Sequence, residues 1–493
     1  MAWEVKETLT EEELKSGLRG VTLDGMATRL TVTLASGAFL VAYALQLGAD
    51  NATIGILAAI PFLTHILQIP AVYLVEQLRV RRPISVYSAF ISRTSLLFVA
   101  LIPFFISDDW RISAVIFLLV VKGSFGAVSQ CAWSSWMRDL VPRADRGTIY
   151  AKRMSLATGL GMSAALAAGF YIDWAKVEFP AYQTYSYSLL FFVAFLAGMY
   201  NVRVIAGIPE PRMASNGTNF LQLIREPFKD ENFRNLMKFI VSWNFAVNLA
   251  APFFTVYMLK TIKLDMSAVV ALTVLSQLTN IAVIRIWGRF MDRFSNKSVL
   301  KVCGPLFIIC TFLWIFTLHP SRHALTVPLL IILHMLMGIS TAGTVLGSSN
   351  LAIRLAPREK ASAYLATSSI ANSLASGVAP IVGGLFSDFF AERHLSLTLK
   401  WTSPVSEVSF QTFKLHHWDF FFFFAFLLGC FSIYLLSHVK ERGDVKPGVI
   451  MQEFIYEMGR GVRSLSSAGG LVRLSQFPLA WAKNRINGNN RPA

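Results

Sequence analysis

Twelve stretches of predominantly apolar residues, each about 20 residues long, recur from one end of this chain to the other. They run roughly over 23–47, 52–76, 84–106, 112–135, 149–172, 185–207, 236–259, 267–290, 298–318, 324–346, 363–387 and 418–438. At 1.5 Å of rise per residue, each is long enough to cross a hydrocarbon core about 30 Å thick. The helices of a soluble protein carry a polar face at the helical period, and these segments are apolar nearly all round. The chain is 54% hydrophobic and 15% charged, where soluble proteins carry about a quarter charged residues. The expectation is an all-α integral membrane protein with twelve transmembrane helices. Met1 to Arg19 is charged and polar and reads as no cleavable signal peptide. Cys131, Cys303, Cys310 and Cys430 all fall in apolar segments and read as small core residues, not as a disulfide framework or a metal site.

The net charge of +16 is explained by where the basic residues lie. Numbering the loops from the N-terminus, the segments on its side of the membrane collect about 33 of the 45 Lys and Arg, and the opposite loops about 8. That bias places both termini in the cytoplasm, and an even number of crossings agrees. The basic character suits an anionic inner leaflet and calls for no nucleic-acid partner.

The chain repeats itself at a spacing of about 215 residues. Pro142 and Arg143 match Pro357 and Arg358, Ala151 matches Ala366, Gly169 matches Gly384, and Asp173 matches Asp388. Between the eighth and ninth segments, Gly288, Asp292, Arg293 and Lys297 stand in the pattern Gly-x-x-x-Asp-Arg-x-x-Asn-Lys. The corresponding loop of the first half is degenerate: Val72 replaces the glycine and Glu76 the aspartate, while Arg79, Arg81 and Arg82 keep the basic cluster. On this loop and this repeat, the sequence over roughly residues 20 to 440 resembles the major facilitator superfamily of secondary transporters. The resemblance implies two six-helix bundles as parallel repeats, with a substrate site at the midplane between them. The expected organisation is a cytoplasmic N-terminus (1–21), a first bundle (22–207), a linker (208–235), a second bundle (236–438) and a basic tail (439–493). The resemblance also implies that the acidic and basic loop residues latch the bundles together on the cytoplasmic side. Asp139 or Asp145 is the expected partner of the first-half arginines. Gly159, Gly161 and Gly169 in the fifth segment and Gly377, Gly383 and Gly384 in the eleventh suit close helix approach, as a rocking hinge or as static packing.

Ionisable residues inside a membrane are costly and usually mark a pathway. Here they are mostly basic: Lys122 in the fourth segment, Arg93 in the third and Arg29 in the first, with His65 and His334 at mid-depth, which read first as hydrogen-bonded core histidines. Asp24, Glu76, Asp173, Asp292 and Asp388 read as terminal, so no carboxylate is expected at the depth of Lys122. Arg153 and Arg285 read as snorkelling near segment ends. A buried Lys122 without a counter-charge must lose its proton, meet water or meet an anion. An anionic or zwitterionic substrate follows as the functional reading. The missing mid-membrane carboxylate does not support proton symport. The amides Gln130, Asn244, Asn248, Gln277 and Asn280 serve either as substrate contacts or as interhelical hydrogen bonds. The resemblance implies that segments 1, 4, 7 and 10 line the cavity. That favours Lys122, Asn244, Asn248 and His334 as lining, with Phe39 and Tyr43 as aromatic walls.

The tail beyond Val439 is not a span. Gly448–Ser466 reads as an amphipathic helix on the inner leaflet, continued over Leu471–Ile486, with docking to a cytoplasmic partner as the alternative. Residues 391–415 read as the longest external loop. No P-loop, no His-Glu-x-x-His and no nucleophile–base pair points to an enzyme or a primary pump, and no cofactor is expected. The expected function is movement of a small solute by alternating access, by a monomer in a bacterial inner membrane. The other class left open is a transporter-like sensor or assembly factor for a partner, pigment or lipid.

Overall fold

The computed structural model describes residues 5–7, 9–213, 226–318, 323–357, 360–402 and 407–466. Twelve helical spans are long and apolar enough to cross a membrane. They are α1 (Glu11–Gln46), α2 (Asn51–Leu78), α3 (Arg81–Phe105), α4 (Asp108–Leu140), α5 (Arg146–Glu178) and α6 (Pro180–Gly207), then α7 (Glu231–Thr261), α8 (Met266–Arg293), α9 (Asn296–Thr317), α10 (Thr326–Leu355), α11 (Ala363–Phe390) and α12 (His417–Ser437). A thirteenth helix, α13, covers Pro447–Ser466. In hydrocarbon a helix satisfies its backbone groups internally, which is why apolar segments of this length take this form.

Several spans extend past their apolar stretch. α1 begins at Glu11, where Thr10 and Glu13 form a capping box that satisfies two first-turn donors. It breaks after Leu34 and restarts at Gly37, whose φ of +59° is a conformation that suits glycine. α2 passes through a 3₁₀ turn at His65–Leu67. The stretch expected as the longest loop is an antiparallel β-hairpin, β3 (His394–Thr402) with β4 (Glu407–His416). A two-residue parallel pairing joins β1 (Val5–Lys6) to β2 (Glu210–Pro211). Of the expected linker and tail, residues 214–225 and 467–493 lie outside the described residues, as does Arg358.

The spans pack as two groups of six. In the first, α1 lies on α5 and α6, and α3 on α4 and α6; in the second, α7 lies on α11 and α12, and α10 on α8 and α9. The loop ends on the side of the chain termini are called here the terminal face. At the other, opposite face, one apolar core runs through both groups, from Phe39, Ile54 and Ile172 to Phe253, Val270 and Phe422. At the terminal face the cores are separate, one around Trp136 and Met137 and another around Phe233 and Trp243. The bundles are therefore joined at one end and packed independently at the other.

The terminal ends of the two bundles are tied by a repeated device. Glu210, just beyond α6, accepts hydrogen bonds from the backbone N–H of Arg81 at 2.6 Å and of Arg82 at 3.0 Å, in the first turn of α3. Glu441, just beyond α12, accepts from the N–H of Lys297 at 2.7 Å and from the Asn296 amide at 2.8 Å, in the first turn of α9. A carboxylate in this position satisfies orphan donors and sits at the positive end of the helix dipole. Arg81 is 0% exposed and pairs with Asp139 and Glu210. Arg82 donates to the Ala206 carbonyl at the end of α6. Lys297 donates to the Ser437 and Val439 carbonyls at the end of α12, at 3.1 and 2.6 Å, and pairs with Asp444.

Arg81 pairs with Asp139, one of the two partners expected for the first-half arginines. In this state Arg81, Arg82, Asp139 and Lys297 hold elements of their own bundles, and none of their contacts among the described residues reaches the other bundle. Asp292, Glu76 and Arg79 are exposed; Arg79 takes the left-handed conformation that ends α2. Gly288 has only ordinary contacts around it, so no helix approaches closely there. Arg293 pairs with Glu453 and Arg289 with Glu457, both on α13. That helix docks Ile450 and Phe454 on the bundle, Phe454 stacking on Trp287 at 4.4 Å, while Met451, Ile455 and Tyr456 face outward. Replacing Arg81 by Met should destabilise the protein by about 3–5 kcal/mol, because two carboxylates then lose their buried counter-charge. Arg289→Ala, which breaks an exposed pair, should cost about 1 kcal/mol or less. Thermal unfolding of the two variants in one detergent checks the contrast.

Candidate functional site

The seam between the bundles is closed at the opposite face by two carboxylates. Asp173, near the end of α5, accepts from the N–H groups of Met266 and Ser267 at 2.7 and 2.8 Å, in the first turn of α8. Asp388, near the end of α11, accepts from the N–H groups of Asn51 and Ala52 at 3.3 and 2.7 Å, and from the Asn51 side-chain amide at 2.8 Å, in the first turn of α2. Each residue of this matched pair caps a helix of the other bundle. Lys176 and Asp265 add an exposed ion pair at 3.3 Å. Backbones come close enough here to require glycine: a Cβ on Gly384 would lie 2.4 Å from the Asn51 carbonyl oxygen, and one on Gly55 2.2 Å from that of Pro380.

Away from this latch, polar side chains gather in three places. A cleft of about 480 Å³ on the second bundle is lined by Trp243 and Asn244 of α7, Ser348 and Ser349 of α10, and Ser368 and Asn372 of α11. It has hydroxyls and amides and no charged residue. Between α1, α5 and α8, a space of about 170 Å³ is lined by Arg29, Phe39, Gly161 and Gln277. There the Arg29 guanidinium donates to Gln277 Oε1 across the seam at 3.2 Å. Inside the first bundle, a small cavity of about 50 Å³ is bordered by Asp24, Arg93, Gln130, Trp133, Arg153 and Asn201.

The model of the Major Facilitator Superfamily matches residues 25–380 and 272–448. The chain belongs to this superfamily. Solved structures agree on the fold. A crystal structure of the nucleoside transporter NupG superposes with a TM-score of 0.62 at 11% identity, over 87% of this chain and 100% of that one. A bacterial homologue of the iron transporter ferroportin, in an inward-facing state, gives 0.64 at 10%, over 88% and 100%. A POT family transporter in complex with a thioalcohol-conjugated peptide gives 0.61 at 12%, over 86% and 98%. No curated protein matches the sequence. The chain is thus a major facilitator transporter of some solute, a multi-pass membrane protein of twelve spans.

Within that fold the residues singled out from sequence separate into groups. Asn244 lines the large cleft; Arg29, Phe39 and Gln277 meet at the seam; Arg93 and Gln130 border the small cavity. Lys122 is close enough to Arg93 for like-charge interaction, and its ammonium has no hydrogen-bond partner among the described residues. His65 lies in the 3₁₀ turn of α2 with its ring exposed. Tyr43 is not a cavity wall: it is 0% exposed, bonds the Val99 carbonyl at 3.2 Å and packs on Phe191 at 5.0 Å. His334 is a core residue, with Nδ1 at 2.8 Å from the Leu330 carbonyl and its ring on Trp314. Asn248 and Asn280 join helices, bonding Ser376 at 3.2 Å and the Gly338 carbonyl at 3.4 Å.

Asp24 overturns the reading of terminal carboxylates. α1 begins twelve residues earlier than its apolar stretch, so Asp24 lies well inside the helix, 2% exposed. Its partners are Arg153 at 2.9 Å and Asn201 at 2.7 Å, so Arg153 is an ion-paired residue and not a snorkelling one. Sequence reasoning missed Ser348, Ser349 and Ser368, whose adjacent hydroxyls on helices were the available signal. It noted Asp173 and Asp388 only as a matched pair of helix-end residues. Removing both, Asp173→Ala with Asp388→Ala, should shift the protein toward a state open at the opposite face. Each cap is worth about 1 kcal/mol, so the double variant should move the equilibrium by about 10- to 30-fold. Distances between spin labels placed on α2 and α11 at that face check it, with either single variant giving a smaller shift.

Proposed function

We propose that this protein moves a small polar solute, anionic or zwitterionic, by alternating access between its two bundles. The observation that carries the reading is the contrast between the faces of the seam. Carboxylate caps and a continuous core close it at one face, while at the other the bundles pack separately beside a polar cleft. Opening one face while closing the other is a two-state equilibrium, and a solute biases it only by binding the states differently.

The anionic character rests on charge balance in the first bundle. Asp24 is engaged by Arg153 and Asn201, so Lys122 has no carboxylate counterpart among the described residues. An unpaired ammonium in the interior of a transporter is matched by a solute that brings negative charge. The uncharged serines and amides of the second bundle suit the polar body of such a solute. The cargoes named for similar folds (nucleoside, iron, peptide) differ too much to be carried over. The bias of basic residues toward the terminal face supports a cytoplasmic position for that face, and with it the reading of this state as open inward.

A panel of anionic, neutral and cationic solutes tests the reading through thermal stability, because a ligand of the folded state raises it with concentration. One anion or zwitterion should stabilise saturably, and its affinity should fall by about 10- to 100-fold in Lys122→Ala and stay unchanged in Lys263→Ala. Stabilisation only by neutral or cationic solutes would return Lys122 to a structural role. The hit compound should then show saturable uptake into vesicles. No response to any solute, together with stable association of one partner protein, would favour the sensor or assembly-factor class.

A further inference from the structure

The small cavity inside the first bundle carries a surplus of hydrogen-bond donors and of positive charge. Asp24 is its acceptor, and it is already occupied: Oδ1 accepts from Asn201 at 2.7 Å and Thr28 at 3.5 Å, and Oδ2 from Arg153 at 2.9 Å. Arg153 also donates to the Val21 carbonyl at 3.1 Å and lies over the Trp133 ring at 4.6 Å from its centre. The other hydroxyls of the lining are turned to the backbone, Ser92 to the Lys122 carbonyl and Ser129 to that of Ser85. Gln130 bonds Ser134.

Two donors are left over. Arg93 Nε and Trp133 Nε1 are buried with no partner, and the Arg93 guanidinium makes no hydrogen bond among the described residues. Arg93 is held in place by its stem, which lies against α6 where Gly198 leaves room for it. Guanidinium and indole N–H groups donate and cannot accept, so neither can satisfy the other. The one orphan acceptor at the border, the Asn201 Oδ1, is neutral and cannot balance a charge. Arg93 and Arg153 against Asp24 leave one uncompensated positive charge. A desolvated charge of this kind is costly unless paired.

We infer that this cavity binds a small monovalent inorganic anion of the halide class, held by Arg93 and the Trp133 indole N–H. An anion supplies acceptors in every direction and one negative charge, the two things the lining lacks. About 50 Å³ leaves room for a chloride or bromide ion. A water molecule would satisfy the donors and leave the charge.

The test uses the purified full-length protein, washed free of halide and without added solute. Its unfolding midpoint is followed in sodium chloride, sodium bromide and sodium gluconate at equal ionic strength. Chloride and bromide should stabilise saturably beyond gluconate. Arg93→Leu should abolish the difference. Trp133→Phe, which removes the N–H and keeps an aromatic ring, should weaken halide affinity by about tenfold. Lys263→Ala should leave it intact. Equal midpoints in all three salts would overturn the inference, as would a halide effect that survives in both cavity variants. Should Arg93→Leu fail to fold, Trp133→Phe decides alone. Because no solute is present, a failed halide site leaves the anionic-solute reading standing, and the solute panel can fail without touching the halide site.

Discussion

In hydrocarbon a helix must satisfy its own backbone, so its only free N–H groups are those of its first turn. Much of this protein's organisation follows from how those groups are met. Four acidic side chains, in two matched pairs, cap four helices to which they are not joined in sequence. Glu210 and Glu441 cap α3 and α9 within their own bundles; Asp173 and Asp388 cap α8 and α2 in the other bundle. The first pair makes each bundle a rigid unit at the terminal face. The second joins the two units at the opposite face. One chemical device, used at both ends of the molecule, therefore separates what holds from what can part.

The twelve spans, the two-fold repeat and the amphipathic tail helix were legible in the sequence because each is a matter of period and length. An apolar stretch of the right length has one solution in a membrane, and Gly448–Ser466 carries its own pattern. The hairpin at 394–416 carried a strand signal, Leu395, Leu397, Leu399 and Trp401 alternating with polar residues, and was passed over because a stretch between two spans reads as a loop. Helix ends were also misjudged. Hydropathy marks where a helix enters lipid, and the capping box at Thr10 marks where it begins; the difference moved Asp24 from a helix end into the bundle.

The candidate site was legible by residue type and not by direction. Lys122, Arg93, Arg29 and the amides were all recognised as costly in a membrane, yet sequence cannot tell a cavity from an interhelical contact one turn away. Asn244 and Asn248 share a helix face, and one lines the cleft while the other bonds α11. Tyr43 is packed away from the cavity for the same reason, finding a backbone carbonyl within its own bundle, and His334 takes the hydrogen-bonded core place that was one of its two readings. The signature loop was recognised as a motif, while the partners of its residues depend on whether the bundles meet at that face.

The latch at the opposite face pairs side chains with main chain. Apart from the Asn51 side-chain amide, its donors are peptide N–H groups of α2 and α8, which every residue but proline supplies. Half of the lock is therefore written in the polypeptide itself and cannot drift. Across related chains this predicts a lopsided record of change: the first turns of α2 and α8, Asn51 aside, free to vary in side chain while shunning proline, and the two aspartates facing them nearly fixed.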